Sequence, residues 1–244
     1  MSQALLALRQ PTLKTIFINR NERTLHDESV ELPDVRHMSA HPSDSLSSAL
    51  RNLSQLPNLT RLEIWGNQVI SPEIFWPPST STGFEASFCP SLRYYIVYID
   101  AFAPSGDWYF IKSTSITNIE EEPSSDSEES TTDSTVEGYA LTRRFRDVPD
   151  PEKINTLLIS MALAASNMPN LRELALRVEF SSVYLWDELT GQNSSRRFSL
   201  LYIAENTEKR LTWSVGNWRP DEEVIMNWRS VLGPEGVIEY LPNS

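Results

Sequence analysis

One pattern recurs four times along the chain and constrains its fold more than any other feature: Pro, any residue, Leu, two variable residues, an apolar residue, one variable residue, another apolar residue. The copies are Pro11-Thr-Leu-Lys-Thr-Ile-Phe-Ile18, Pro57-Asn-Leu-Thr-Arg-Leu-Glu-Ile64, Pro90-Ser-Leu-Arg-Tyr-Tyr-Ile-Val97 and Pro169-Asn-Leu-Arg-Glu-Leu-Ala-Leu176. A proline ends whatever helix precedes it and biases the residue before it toward extended backbone. The residues after it alternate. In the second copy alternation turns Leu59, Leu62 and Ile64 inward and Arg61, Glu63 and Trp65 outward. The prolines are 46, 33 and 79 residues apart, so any array built from them is irregular.

The segments before two copies have helical spacing. Ser43 to Leu56 carries Leu46, Ala49, Leu50, Leu53 and Leu56 on one face, and Pro151 to Met168 carries Ile154, Leu157, Leu158, Met161 and Ala165. Asp150 is placed as the N-cap of the second helix, with Pro151 at its first position. Helix, proline turn and strand make the unit of a leucine-rich solenoid, whose stacked strands line a concave face. After the fourth copy, Phe198 to Ala204 and Leu211 to Val215 read as a hairpin turning over Asn206 to Lys209. A last helix is predicted from near Pro220 to just before Gly233, burying Val224, Ile225, Trp228, Val231 and Leu232. The expected fold class is therefore α/β: an irregular leucine-rich-repeat-like solenoid with a C-terminal hairpin and capping helix.

Composition bears on the rest. Eight of the twelve net negative charges sit in one stretch, at Glu120, Glu121, Glu122, Asp126, Glu128, Glu129, Asp133 and Glu137, with no Lys or Arg among them. Asn118 to Gly138 has too little apolar content to offset its ordering entropy, so a disordered acidic loop is expected there. The organisation predicted is degenerate repeats over 1–117, that loop over 118–138, and a further repeat with a cap over 139–244, all within one domain. Ser125 and Ser130 each stand three residues before an acid, which suits an acidophilic kinase. The charge offers no basic footprint for nucleic acid or an anionic membrane. No apolar run approaches the length of a membrane span, and Met1 to Gln10 lacks the basic n-region of a signal peptide. A single cysteine, Cys89, excludes an internal disulfide and points to the cytoplasm or nucleus.

Chemistry-bearing motifs are few. The 8 glycines form no dinucleotide, phosphate-loop or nucleophile-elbow pattern. Cys89 reads as a packed structural thiol ahead of Pro90. His37 and His41 are four apart, but Pro42 follows and no Glu stands between them, so they read as loop residues. An unfamiliar enzyme would instead have to gather groups such as His26, Asp27 and Glu28 into a pocket. No catalytic, cofactor or metal residue is assigned. Trp108, Tyr109, Phe110, Trp213, Trp218 and Trp228 read as core or cap. The outward strand positions Phe17, Arg61, Trp65, Tyr94, Tyr98 and Arg177 are the candidate protein-binding surface, because aromatics and arginine are what interface hot spots use. The competing reading is that neighbouring loops cover some of them.

The Pro-x-Leu strands resemble the leucine-rich-like region of fungal F-box proteins. So do Gly106-Asp-Trp-Tyr-Phe110, Asp150-Pro-Glu-Lys153, Met168-Pro-Asn-Leu-Arg172 and Trp218-Arg-Pro-Asp-Glu-Glu-Val224 with Trp228. The resemblance implies a protein-binding module, the target-recognition part of a ubiquitin-ligase adaptor that docks on a cullin ligase through an N-terminal F-box. The first copy here already begins at Pro11, so the expectation is a truncated gene model, a fragment, or a family member that has lost that docking domain. The alternative is a stand-alone scaffold without a ligase link.

Overall fold

The computed structural model describes residues 12–19, 32–34, 36, 44–77, 89–111, 146, 148–179, 197–205 and 208–241. In chain order these form β1 (Thr15–Asn19), α1 (Ser45–Ser54), β2 (Arg61–Gln68), a 3-10 turn (Pro72–Ile74), β3 (Tyr94–Ile99), β4 (Phe110–Ile111) and β5 (Val148–Pro149). Then follow α2 (Pro151–Asn167), β6 (Glu173–Glu179), β7 (Arg197–Glu205), β8 (Glu208–Ser214), α3 (Glu222–Leu232) and β9 (Val237–Leu241). The chain is a mixed α/β protein with a mostly parallel central sheet. Seven strands run in the order β1-β2-β3-β6-β7-β8-β9, and β4 pairs with β5 apart from them.

Each Pro-x-Leu copy delivers one strand, and the four strands β1, β2, β3 and β6 lie side by side in parallel. Register follows the repeat. Ile16, Leu62, Tyr95 and Leu174 form one row, continued by Tyr202 and Leu211, and every member is buried. Ile64, Val97, Leu176, Leu200 and Trp213 make the next row. Side chains two apart on a strand share a face, so both rows face the same way. All the buried apolar residues of α1, α2 and α3 join these rows in one cluster. Parallel sheets are ordinarily covered on both faces. Here, among the described residues, every helix packs on one face.

Caps set the helix limits. The Asp44 carboxylate accepts from the Leu46 and Ser47 amides at 3.1 and 3.2 Å, so α1 starts at Ser45 rather than Ser43, and Leu46 and Leu56 are only half-buried. Asp150 accepts from the Glu152 and Lys153 amides, with Pro151 opening α2 as expected. In α3, Ile225 is half-buried rather than buried.

The hairpin is tighter than expected. Glu205 pairs directly with Glu208, leaving two connecting residues where Asn206 to Lys209 had been predicted to turn. Its strands extend the central sheet, antiparallel to β6 and to each other, instead of sitting over the end as a cap. Beyond α3 the chain adds β9, parallel to β8, for which the sequence reading assigned no element. Gly106 (φ +84°) opens the Gly106-Asp-Trp-Tyr-Phe110 segment where only glycine fits: a Cβ there would stand 2.3 Å from the Leu32 carbonyl oxygen. The aromatics that follow it, Trp108, Tyr109 and Phe110, are buried, and the Tyr109 hydroxyl donates to the Ile70 carbonyl at 3.0 Å.

Cys89 locks the end of α1 to the third repeat. Its amide donates to Gln55 Oε1 (3.0 Å), Gln55 Nε2 donates to its sulfur (3.2 Å), and its thiol donates to Ser54 Oγ (3.0 Å). These bonds hold it at φ 49°, a left-handed conformation that costs a non-glycine residue energy. Burial pushes the thiol up to about 12, against the opposing effect of the Ser54 and Gln55 contacts. At pH 8 an ordinary thiol, ionising near about 8.5, has on the order of a thousandfold more thiolate. Iodoacetamide is therefore expected to label Cys89 about a thousandfold more slowly in native than in urea-unfolded protein. Comparable rates would place the thiol in solvent. Between about pH 8.5 and 12 only the unfolded chain releases this proton, so the thiol lowers stability as pH rises through that window.

Candidate binding face

The residues facing away from the helices form three rows across the sheet. The first holds Thr15, Arg61, Tyr94 and Glu173; the second Phe17, Glu63, Ile96 and Ala175; the third Asn19 and Trp65, then Tyr98 and Arg177. The residues proposed from the sequence, Phe17, Arg61, Trp65, Tyr94, Tyr98 and Arg177, thus all lie on one face, with strands about 4.8 Å apart.

They also touch. The Arg61 guanidinium carbon lies 5.9 Å from the Phe17 ring centre and 5.0 Å from that of Tyr94. Trp65 stacks on Tyr98 with centroids 4.4 Å apart and planes 21° from parallel. Arg177 stands 5.2 Å over the same Tyr98 ring and donates to its hydroxyl at 2.6 Å. Both geometries suit cation–π attraction, which strengthens as the cation loses water.

Glu63 joins the two groups. One carboxylate oxygen pairs with Arg61 Nε, and the other accepts from Trp65 Nε1 at 2.7 Å. Its side chain is 3 % exposed, and a buried carboxylate is costly unless its oxygens are hydrogen-bonded. Both are. Alternation places Glu63 outward between Arg61 and Trp65, but a lone acid on a strand carries no sign of its partners, so the sequence does not mark it as a site residue.

Immediately beyond Trp65 the ladder to β3 breaks, with Gln68 aligned to Ile99 where unbroken register would have placed Gly66. Gly66 takes φ +78°, and Gln68 Nε2 donates to its carbonyl at 2.7 Å. A bulge of this kind twists the strand and re-aims neighbouring side chains.

One assignment needs correction. Tyr98 is 4 % exposed, so it is a base on which Trp65 and Arg177 rest rather than an open contact residue. Phe17, at 61 %, and Trp65, at 39 %, present the open aromatic surface. Arg177 is exposed, and Tyr94 is half-buried.

Ser125, Ser130, the acidic stretch Asn118 to Gly138, and His26, Asp27, Glu28, His37 and His41 lie outside the described residues. Among the described residues no group of His, Cys, Asp and Glu could hold a metal ion, and no helix is long and apolar enough to cross a membrane. The face presents flat aromatic area and guanidinium groups oriented by stacking and hydrogen bonds. No curated protein and no solved structure matches the chain. Residues 128–240, which include Arg177 but none of the other candidate binding-face residues, are similar to a family of unknown function (DUF6546).

Proposed function

We propose that the helix-free sheet face is a protein-binding surface, and that the chain is the target-recognition part of an F-box-like ubiquitin-ligase adaptor built on an irregular leucine-rich-like array. The observation that carries the binding reading is the connected ladder Phe17–Arg61–Tyr94 and Trp65–Tyr98–Arg177, bridged by Glu63. Binding energy concentrates in aromatic and arginine side chains that lose little freedom on association. Here stacking has already restricted them. The array reading is supported by four parallel strands in chain order, each introduced by a Pro-x-Leu step. The ligase link rests on the sequence resemblance alone. The reading assigns the chain no reaction of its own.

Amine-reactive cross-linking tests the face. Lys14 precedes β1 at the exposed rim of the sheet, whereas Lys153 lies on α2 in the helix layer, beside Asp150 and Asp107. Captured proteins are expected to cross-link through Lys14 and not Lys153. Cross-links confined to Lys153 would move the interface to the helices. For the ligase link, captured proteins should persist longer in cells lacking this chain. Unchanged lifetimes would overturn that part.

A further inference from the structure

The residue after the repeat leucine is Lys14, Thr60, Arg93 or Arg172. Backbone bonds place these four side by side at the rim of the sheet. The Thr60 and Arg61 amides donate to the Lys14 carbonyl, those of Arg93 and Tyr94 to Thr60, and those of Arg172 and Glu173 to Arg93. The side chains of Lys14, Arg93 and Arg172 are exposed, and among the described residues none has an ion pair or side-chain hydrogen bond. Like charges on adjacent strands repel. On a chain of net charge −12 with 33 carboxylates, a row of three cations without a carboxylate stands out.

Beside the row runs an open groove of about 940 Å³, lined by Tyr94, Asn170, Arg172, Glu173, Glu205 and Lys209 among others. Lys209 is already engaged, donating to the Val231 carbonyl at the end of α3 at 2.8 Å. Glu173 and Glu205 are the carboxylates on the groove, so among the described residues its unpaired positive charge is that of Arg172, which Arg93 adjoins along the rim. Tyr94 belongs both to this groove and to the open face, which makes the two surfaces continuous.

We propose that this rim docks an acidic segment of the partner protein, its carboxylates pairing with Lys14, Arg93 and Arg172 while the segment follows the groove past Tyr94. The inference rests on the reading of the open face as a protein-binding surface and names the chemistry of what binds there. Arginine pairs with carboxylates through two parallel hydrogen bonds, and two such groups on adjacent strands suit acids on alternate residues of an extended peptide.

The test uses the full chain and a fluorescein-labelled peptide alternating glutamate with glycine and tyrosine. Its controls are the same peptide with glutamine for glutamate, and a single-stranded oligothymidylate of equal charge. Anisotropy should show binding of the glutamate peptide alone, weakening as salt rises. Arg93→Glu with Arg172→Glu should weaken it about tenfold or more, at unchanged circular dichroism and melting temperature, while the double lysine variant, which keeps the charge but loses the paired hydrogen bonds, should weaken it less than the reversal does. Equal binding of the glutamine peptide, indifference to the double charge reversal, or tighter binding of the oligothymidylate would each overturn the proposal. Arg61→Ala with Trp65→Ala separates it from the reading beneath it. If that pair abolishes partner capture while charge reversal at the rim changes nothing, the open face stands and the acidic segment falls. If the rim variants alone lose the glutamate peptide and capture ignores Arg61 and Trp65, the rim stands and the open face falls.

Discussion

Replacing Leu62 with alanine should cost about 2–5 kcal/mol of folding free energy, and replacing Leu174 should cost a similar amount. Both side chains are fully buried. They occupy the same position of two Pro-x-Leu copies and the same row of the sheet, separated only by Tyr95. Each truncation removes apolar contact and leaves a cavity that neighbours on a hydrogen-bonded sheet cannot easily fill. The ring between them cannot move freely either, because the Tyr95 hydroxyl donates to the Ile74 carbonyl at 3.2 Å. Against a typical domain stability of about 5–15 kcal/mol, either loss is large. Urea unfolding followed by tryptophan fluorescence measures it. A loss under about 1 kcal/mol in both variants would mean that the inward register of the repeat is wrong, since a one-residue slip exchanges the faces.

The second large effect falls on binding. Arg61→Ala with Trp65→Ala should weaken capture of a protein partner by about 2 kcal/mol or more, roughly thirtyfold, while the fold survives. Arg61 is held between two rings and Trp65 on a third, so the double variant strips the centre of the ladder. It also leaves Glu63 without either hydrogen-bond donor named for it. Some stability is therefore lost as well, of the order of 1–3 kcal/mol for an orphaned buried polar group. Phe17→Ala gives the cleaner control: its ring is largely exposed and, among the described residues, meets the ladder through Arg61. Capture should fall in both variants, with the melting temperature moving only in the first. Unchanged capture in both, at matched circular dichroism, would remove the open face as the interface.

The acidic oxygens of Glu63 show why the site was half legible. Alternation over Arg61-Leu-Glu-Ile-Trp65 places three polar or aromatic residues on one face by local geometry alone, and the same period brings Phe17, Tyr94, Tyr98 and Arg177 to that face from other strands. Which of them meet depends on strand order and register, and these are settled by contacts dozens of residues apart. Tyr98 was misjudged for this reason. Its parity is outward, yet the side chains of neighbouring strands cover it.

The sequence by itself determined the strands that follow each Pro-x-Leu step, their alternation, and the cap at Asp150, because all of these depend on residues within one or two turns of chain. Only the tertiary structure decided that the hairpin joins the main sheet, that Val237–Leu241 becomes a strand against β8, and that the described helices all pack on one face. A short run such as Val-Ile-Glu-Tyr-Leu has no strand identity until a partner supplies its ladder of hydrogen bonds. The side of a sheet that stays open is likewise fixed by where each crossover returns, a property of the chain path and not of any one repeat.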